Sequence, residues 1–107
     1  MTLDNNLRVI ELIDCYGKLL TNKQYDIMTN YYFDNLSLSE IGDNFGISRQ
    51  AVSDCINKSI KILENFEDKL NIIALHSEVS SKIEIVKEML TNDNLIDKLD
   101  EVLQLLK

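Results

Sequence analysis

No proline interrupts this 107-residue chain, and only three glycines, Gly17, Gly42 and Gly46, punctuate it. Hairpins, bulges and tight loops between strands draw on those two residue types for fixed or left-handed backbone angles, so a sheet of this length would have almost nothing to turn with. Helices joined by short connections are what remains, and the expected fold class is all-α. The length suits one all-helical domain, residues 1–107, with no room for a catalytic domain beside a regulatory one. With 45% hydrophobic and 27% charged residues the chain can build a core and stands apart from disordered sequences.

A formal charge of -7 argues against any partner held mainly by bulk electrostatics, an anionic membrane included. Apolar runs fall short of the roughly 18 residues that a span requires. The polar start at Thr2, Asp4, Asn5 and Asn6 does not resemble a secretory leader. The expectation is a soluble cytoplasmic protein with no membrane partner. Cys15 and Cys55 stand forty positions apart in helix-like patterns rather than in a CxxC motif, and read as two reduced, buried thiols.

Apolar residues from Leu7 to Leu20 recur at helical spacing in an unusually wide stripe, which calls for many neighbours or a second chain. Thr21 and Gln24 form a capping box that opens a second helix ending near Phe33, where Asp34 and Asn35 favour a turn. Ser37 and Glu40 open a short third helix that stops at Gly46. Ser48 caps a fourth, whose pattern runs to about Leu75. After His76 and Ser77 the C-terminal helices occupy residues 78–107, divided by the polar run from Thr91 to Asn94.

Residues 36–60, LSLSEIGDNFGISRQAVSDCINKSI, have the spacing of a helix-turn-helix core. Gly42 sits where a side chain would obstruct a steep helix crossing, and Ala51 does the same near the start of the next helix. Leu38, Ile41, Phe45, Ile47, Val52 and Ile56 close a small core. Arg49, Gln50, Ser53, Asp54, Asn57, Lys58 and Lys61 are left outside. Residues 49, 53 and 57 stack at four-residue spacing, and Gln50 lies beside Arg49 at the helix start, where a groove-bound helix meets base edges. Arginine pairs with guanine and glutamine or asparagine with adenine. The competing reading is a merely solvated helix face, and the complete helix-turn-helix pattern favours base contact over it. The expected DNA-binding set is therefore Ser37, Ser48, Arg49, Gln50, Ser53, Asn57, Lys58 and Lys61, the two serines through phosphate-facing helix N-termini.

The run SLSEIGDNFGISRQAV closely resembles the promoter-reading helix-turn-helix of bacterial sigma factors. More broadly, YGKLLTNKQ (16–24), YYFDNLSLSEIGDNFGISRQAV (31–52) and KILENFEDKL (61–70) resemble the YlxM family of small bacterial proteins. That resemblance implies an all-helical cytoplasmic DNA-binding regulator linked by genetic neighbourhood to the signal recognition particle and its receptor, with components of the particle as implied partners. The alternative is an adaptor whose scaffold binds a protein or RNA component of that particle.

Residues 35–61 carry three basic and three acidic side chains, whereas 62–107 carry five basic and ten acidic. A neutral reading head on an acidic body binds phosphate weakly unless two copies act together. The last helix spaces Leu95, Leu99, Val102 and Leu106 as a seam, the expected homodimer interface, unless the helix folds back on its own chain.

No enzyme, cofactor or small-molecule substrate is expected. His76 has no ligand-spaced companions and reads as a helix-end or surface residue, and Gly42 and Gly46 lack the Lys-Ser/Thr of a phosphate loop. Glu67–Asp68 and Asp100–Glu101 read as solvated charge. Tyr25, Tyr31 and Tyr32 fit a core better than a base-stacking platform.

Overall fold

The computed structural model describes residues 3–90 and 92–107. In chain order it contains α1 (Leu3–Tyr16), a single 3-10 turn (Gly17–Leu19), α2 (Asn22–Tyr32), α3 (Leu38–Phe45), α4 (Arg49–Leu70), α5 (Ile72–Met89) and α6 (Asp93–Leu105). There is no strand among the described residues. These helices group into two compact units, Met1–Leu70 and Asn71–Lys107.

Within the first unit α4 is the common wall, packed against α1, α2 and α3. Its buried stripe is Val52, Ile56, Ser59, Leu63 and Glu67. Against that stripe lie Val9, Leu12, Ile13 and Tyr16 of α1, Ile27 and Met28 of α2, and Ile41 of α3. Successive members are three or four residues apart, so one face of each helix meets the core while the intervening polar residues stay wet. The wide stripe of the first segment is thus largely consumed by the chain's own helices, with Leu7 and Leu19 left exposed.

The starts and stops follow local chemistry. Thr21 and Gln24 form a reciprocal capping box at α2, with the Gln24 N–H donating to Thr21 Oγ1 (3.2 Å) and the Thr21 N–H donating to Gln24 Oε1 (3.1 Å). Asn35 takes a left-handed φ of 59° in the turn that follows α2. One expectation moves: α4 stops at Leu70 rather than near Leu75, because Asn71 adopts φ 55°. Asparagine is among the few non-glycine residues that enter this region readily, so a helical pattern continuous in hydrophobicity can still break there. The C-terminal helices accordingly begin at Ile72 instead of residue 78, and half-buried His76 lies inside α5 rather than at a helix end.

Two further expectations are corrected. Cys15 and Cys55 are free thiols, but Cys15 is exposed and Cys55 half-buried. Glu67 is 5% exposed rather than solvated. The Tyr16 hydroxyl donates to Glu67 Oε1 at 2.5 Å, and the Tyr16 ring stacks near Phe66 with centroids 6.0 Å apart. One turn earlier, Arg8 Nε and Nη2 donate to Glu64 Oε1 and Oε2 at 3.2 and 3.1 Å. That hydrogen-bonded pairing holds the Arg8 guanidinium above its ordinary pKa. Both links tie α1 to α4. The buried one matters more, since a half-exposed ion pair contributes only about 0–1 kcal/mol.

In the second unit α5 packs against α6. Lys87 Nζ donates to Asp100 Oδ1, and this bond raises the Lys87 pKa. Asn92 caps α6, its Oδ1 accepting from the Asn94 and Leu95 N–H groups at 2.9 and 3.3 Å.

Two outcomes follow from these contacts. Tyr16→Phe deletes a donor to a buried carboxylate and should cost about 1–3 kcal/mol in urea unfolding, with much of the loss recovered when Glu67→Met is added. A cost indistinguishable from zero would remove this link from the fold's supports. Burial, and next the neighbouring Tyr31, push the Tyr32 phenol up to about 12. A raised folded pKa gives stability that is complete below the unfolded value of about 10 and is lost as pH rises through about 12. The unfolding midpoint should fall across that window, and Tyr32→Phe should flatten the fall.

Candidate nucleic-acid interface

The candidate interface is built from α3, the turn after it and the first three turns of α4. Ser37 caps α3: its Oγ accepts from the Glu40 N–H (3.1 Å), and Glu40 Oε1 accepts from the Ser37 N–H (3.2 Å). Gly46 ends α3 at φ 67°, and both its N–H and that of Ile47 (3.0 Å) donate to the Gly42 carbonyl. Ser48 then caps α4, with its Oγ accepting from the Ala51 N–H at 3.0 Å. The turn is therefore three residues long, from Gly46 to Ser48.

Gly42 is buried, and a Cβ built on it would lie 2.7 Å from the Ile47 carbonyl oxygen. No side chain fits there, so the missing methyl group sets how closely the turn can approach α3. Gly46 differs, because a Cβ there meets open space and only the left-handed backbone favours glycine. The small core expected around the turn has Ile41, Val52 and Ile56 buried, while Leu38, Phe45 and Ile47 are half-buried. Ala51 is half-buried at the helix crossing.

This crossing presents the start of α4 outward. Arg49 and Gln50 are exposed in its first turn, Ser53 is half-buried one turn on, and Asn57, Lys58 and Lys61 are exposed further along. At 100° per residue Arg49, Gln50, Ser53, Asn57 and Lys61 share one side of the helix, with Lys58 toward its outer edge. The capping serines Ser37 and Ser48 are both exposed. Sequence spacing missed one interaction on this face: Gln50 Nε2 donates to Asp54 Oδ1 at 2.9 Å. The i,i+4 separation of the two residues was the available signal. Asp54 puts a carboxylate among the groups that would approach phosphate.

Tyr31 and Tyr32 meet edge-to-face, with centroids 5.0 Å apart, beside a cleft of about 630 Å3 also lined by Leu7, Ile10, Leu36 and the α3 cap. They are half-buried and engaged with each other, as partial core residues are. No helix is long and apolar enough to cross a membrane among the described residues.

Residues 3–105 match the family described as "Putative helix-turn-helix protein, YlxM / p13 like", UPF0122. The chain belongs to this family. Among its relatives, UPF0122 protein YofM of Lactococcus lactis is 38% identical over 106 residues, covering 98% of this chain and 96% of the relative. UPF0122 protein MYPE4850 of Malacoplasma penetrans is 48% identical over 90 residues, covering 84% and 80%. A third, from Exiguobacterium sibiricum, is 42% identical over 89 residues, covering 83% and 84%. The family match extends through α5 and all of α6, so the C-terminal helices that lay outside the recognised sequence blocks belong to the same family pattern.

The two turn glycines of this UPF0122 chain should be separable by substitution. Gly42→Ala drives a methyl group into a backbone oxygen and should destabilise by about 1–3 kcal/mol as the turn shifts. Gly46→Ala has room, so its left-handed strain should cost only about 1 kcal/mol. Urea unfolding of both variants checks the order; equal costs would show that the crossing is not limited by Gly42.

Proposed function

We propose that this protein is a non-catalytic cytoplasmic regulator that binds duplex DNA through the start of α4. The observation that carries the reading is the Gly42 contact with the Ile47 carbonyl, which fixes a helix-turn-helix crossing and leaves the α4 N-terminal side chains outside the core. In this reading Arg49 addresses a guanine edge, Gln50 and Asn57 address adenine edges, and Ser53 lies between them. Lys58 and Lys61 neutralise phosphates, while backbone N–H groups at the Ser37 and Ser48 caps contact the strands beside the groove. Family membership supports a nucleic-acid-binding role at the level of the fold. A homodimer would double a small positive charge and set two heads at a fixed separation.

One observation favours a second reading, an adaptor that binds a protein or RNA component of the signal recognition particle. Gln50 is held by Asp54, and the 35–61 segment has no net charge, an arrangement poorly suited to phosphate but acceptable at a protein surface. Base contact requires Gln50 to exchange Asp54 for an adenine, at the cost of one exposed hydrogen bond. That cost is small beside the gain from a bidentate base contact, about 1–3 kcal/mol.

The test is a genomic-fragment selection followed by titration of the selected duplex. Arg49→Ala should weaken binding by about 1–3 kcal/mol and relax preference at one base position. Counting the Arg49 charge, which also displaces counterions when it enters the groove, with Lys58 and Lys61, log K against log salt should slope by about -3 for one chain and about -5 for two. No selected sequence, together with capture of purified targeting-particle protein or RNA, would replace the regulator by the adaptor.

A further inference from the structure

The second unit, Asn71–Lys107, is under 40 residues long and neither of its helices has a buried residue. Units this small ordinarily need a disulfide, a metal or oligomerisation to hold a fold. Both cysteines belong to the first unit, and no group of His, Cys, Asp and Glu suited to a metal occurs among the described residues. What the hairpin does have is more apolar surface than its own pairing consumes.

Helix phase places that surface. Ile83 and Lys87 of α5 and Leu99, Leu103 and Leu106 of α6 are half-buried along the α5–α6 seam. Two members of the seam read from sequence, Leu99 and Leu106, are therefore occupied inside the hairpin. The other two, Leu95 and Val102, are exposed, together with Leu105 on α6 and Ile85, Val86 and Met89 on α5. Met89 and Leu105 are 77% and 83% exposed. α5 and α6 form a hairpin whose register is set by the Lys87–Asp100 bond. At 100° per residue, Val86 and Met89 of α5 and Leu95, Val102 and Leu105 of α6 lie roughly an eighth to two-fifths of a turn from the seam toward the same side of the hairpin, whereas Ile85, two residues from Ile83, points away from α6. These five residues form one apolar strip, with Lys82 and Lys98 on the same side.

We infer that this strip packs against the same strip of a second copy of the chain, joining two α5–α6 hairpins in a four-helix bundle. Charge selects the occupant. Two ion pairs lie on and beside the strip, Glu78 with Lys82 (3.2 Å) and Lys98 with Glu101 (3.3 Å), each of opposite sign. A two-fold interface places a patch against itself, and balanced pairs suit that arrangement, whereas a strongly basic protein or nucleic acid selects a rim of one sign. The first unit already closes a core around Leu12, Ile27, Met28, Ile41 and Leu63, all fully buried, so its stability does not require the strip. This inference deepens the DNA-binding reading by naming the partner that brings two heads together, and its experiment measures mass in the absence of DNA, so either can fail alone.

The test is sedimentation equilibrium of the full chain at micromolar concentration. The wild type should run at twice 12.3 kDa. Val86→Asp with Val102→Asp should raise the dimer dissociation constant at least about 100-fold. Should that pair unfold the hairpin, Met89→Ala with Leu105→Ala keeps helix propensity and should still raise it at least about 10-fold. All four tyrosines lie in the first unit, so their near-ultraviolet signal confirms that this unit stays folded. A wild-type monomer would overturn the inference. So would a dimer unmoved by both pairs, or one dissociated only by Leu19→Asp in the first unit.

Discussion

A methyl group has no place between Gly42 and the Ile47 carbonyl, and the geometry of the candidate interface depends on that fact. Two helices that must cross steeply over a three-residue turn bring backbone against backbone. The 2.7 Å separation calculated for a Cβ at Gly42 lies inside any normal contact. With hydrogen at that position, Ile47 reaches its half-buried place and Ser48 arrives where its hydroxyl can cap α4. Arg49 and Gln50 are left exposed in the first turn of α4, ahead of the buried Val52 and Ile56. One residue's missing atom thus sets the close approach that places the candidate interface side chains.

The core and the candidate interface share α4. Its buried stripe forms the wall of the first unit, and its opposite side carries Asp54, Lys58 and Lys61 of the candidate interface. The Tyr16–Glu67 and Arg8–Glu64 links brace the helix from α1 several turns away from Arg49. Packing runs along the helix from Val52 to Glu67, while the candidate interface side chains lie between Arg49 and Lys61. The polar brace holds a specific register between α1 and α4, which apolar packing alone specifies less sharply.

The second unit follows a different logic. Its helices have one side-chain cap, Asn92 at the start of α6, an internal salt bridge and apolar residues beyond their seam, yet no fully buried side chain. A helix pair has only one seam, and a stripe wider than that seam must find a second surface to leave water, at roughly 25 cal/mol for each Å2 of apolar area covered. A second hairpin with the same strip offers such a surface without altering the first unit's closed core.

Much of this architecture was legible in the residues themselves. The absence of proline, the Thr21/Gln24 and Ser37/Glu40 boxes, Gly46 and Ser48 are local devices, acting over three or four residues, so their spacing alone announced the helices and the turn between them. The three sequence blocks likewise pointed to the family that the whole-chain match establishes. Other features depended on distant neighbours. Nothing local distinguishes Glu67 from Asp68; only the fold brings Tyr16 from α1 to meet one and leaves the other in water. Asn71 ends α4 inside an unbroken hydrophobic pattern because a left-handed residue changes direction without changing polarity. In α6 the even spacing of Leu95, Leu99, Val102 and Leu106 was visible in sequence, but only the position of α5 divided those four between an inner seam and an exposed strip. Short-range chemistry is written residue by residue along the chain, whereas burial belongs to pairs of surfaces, and those pairs exist only once the helices have packed.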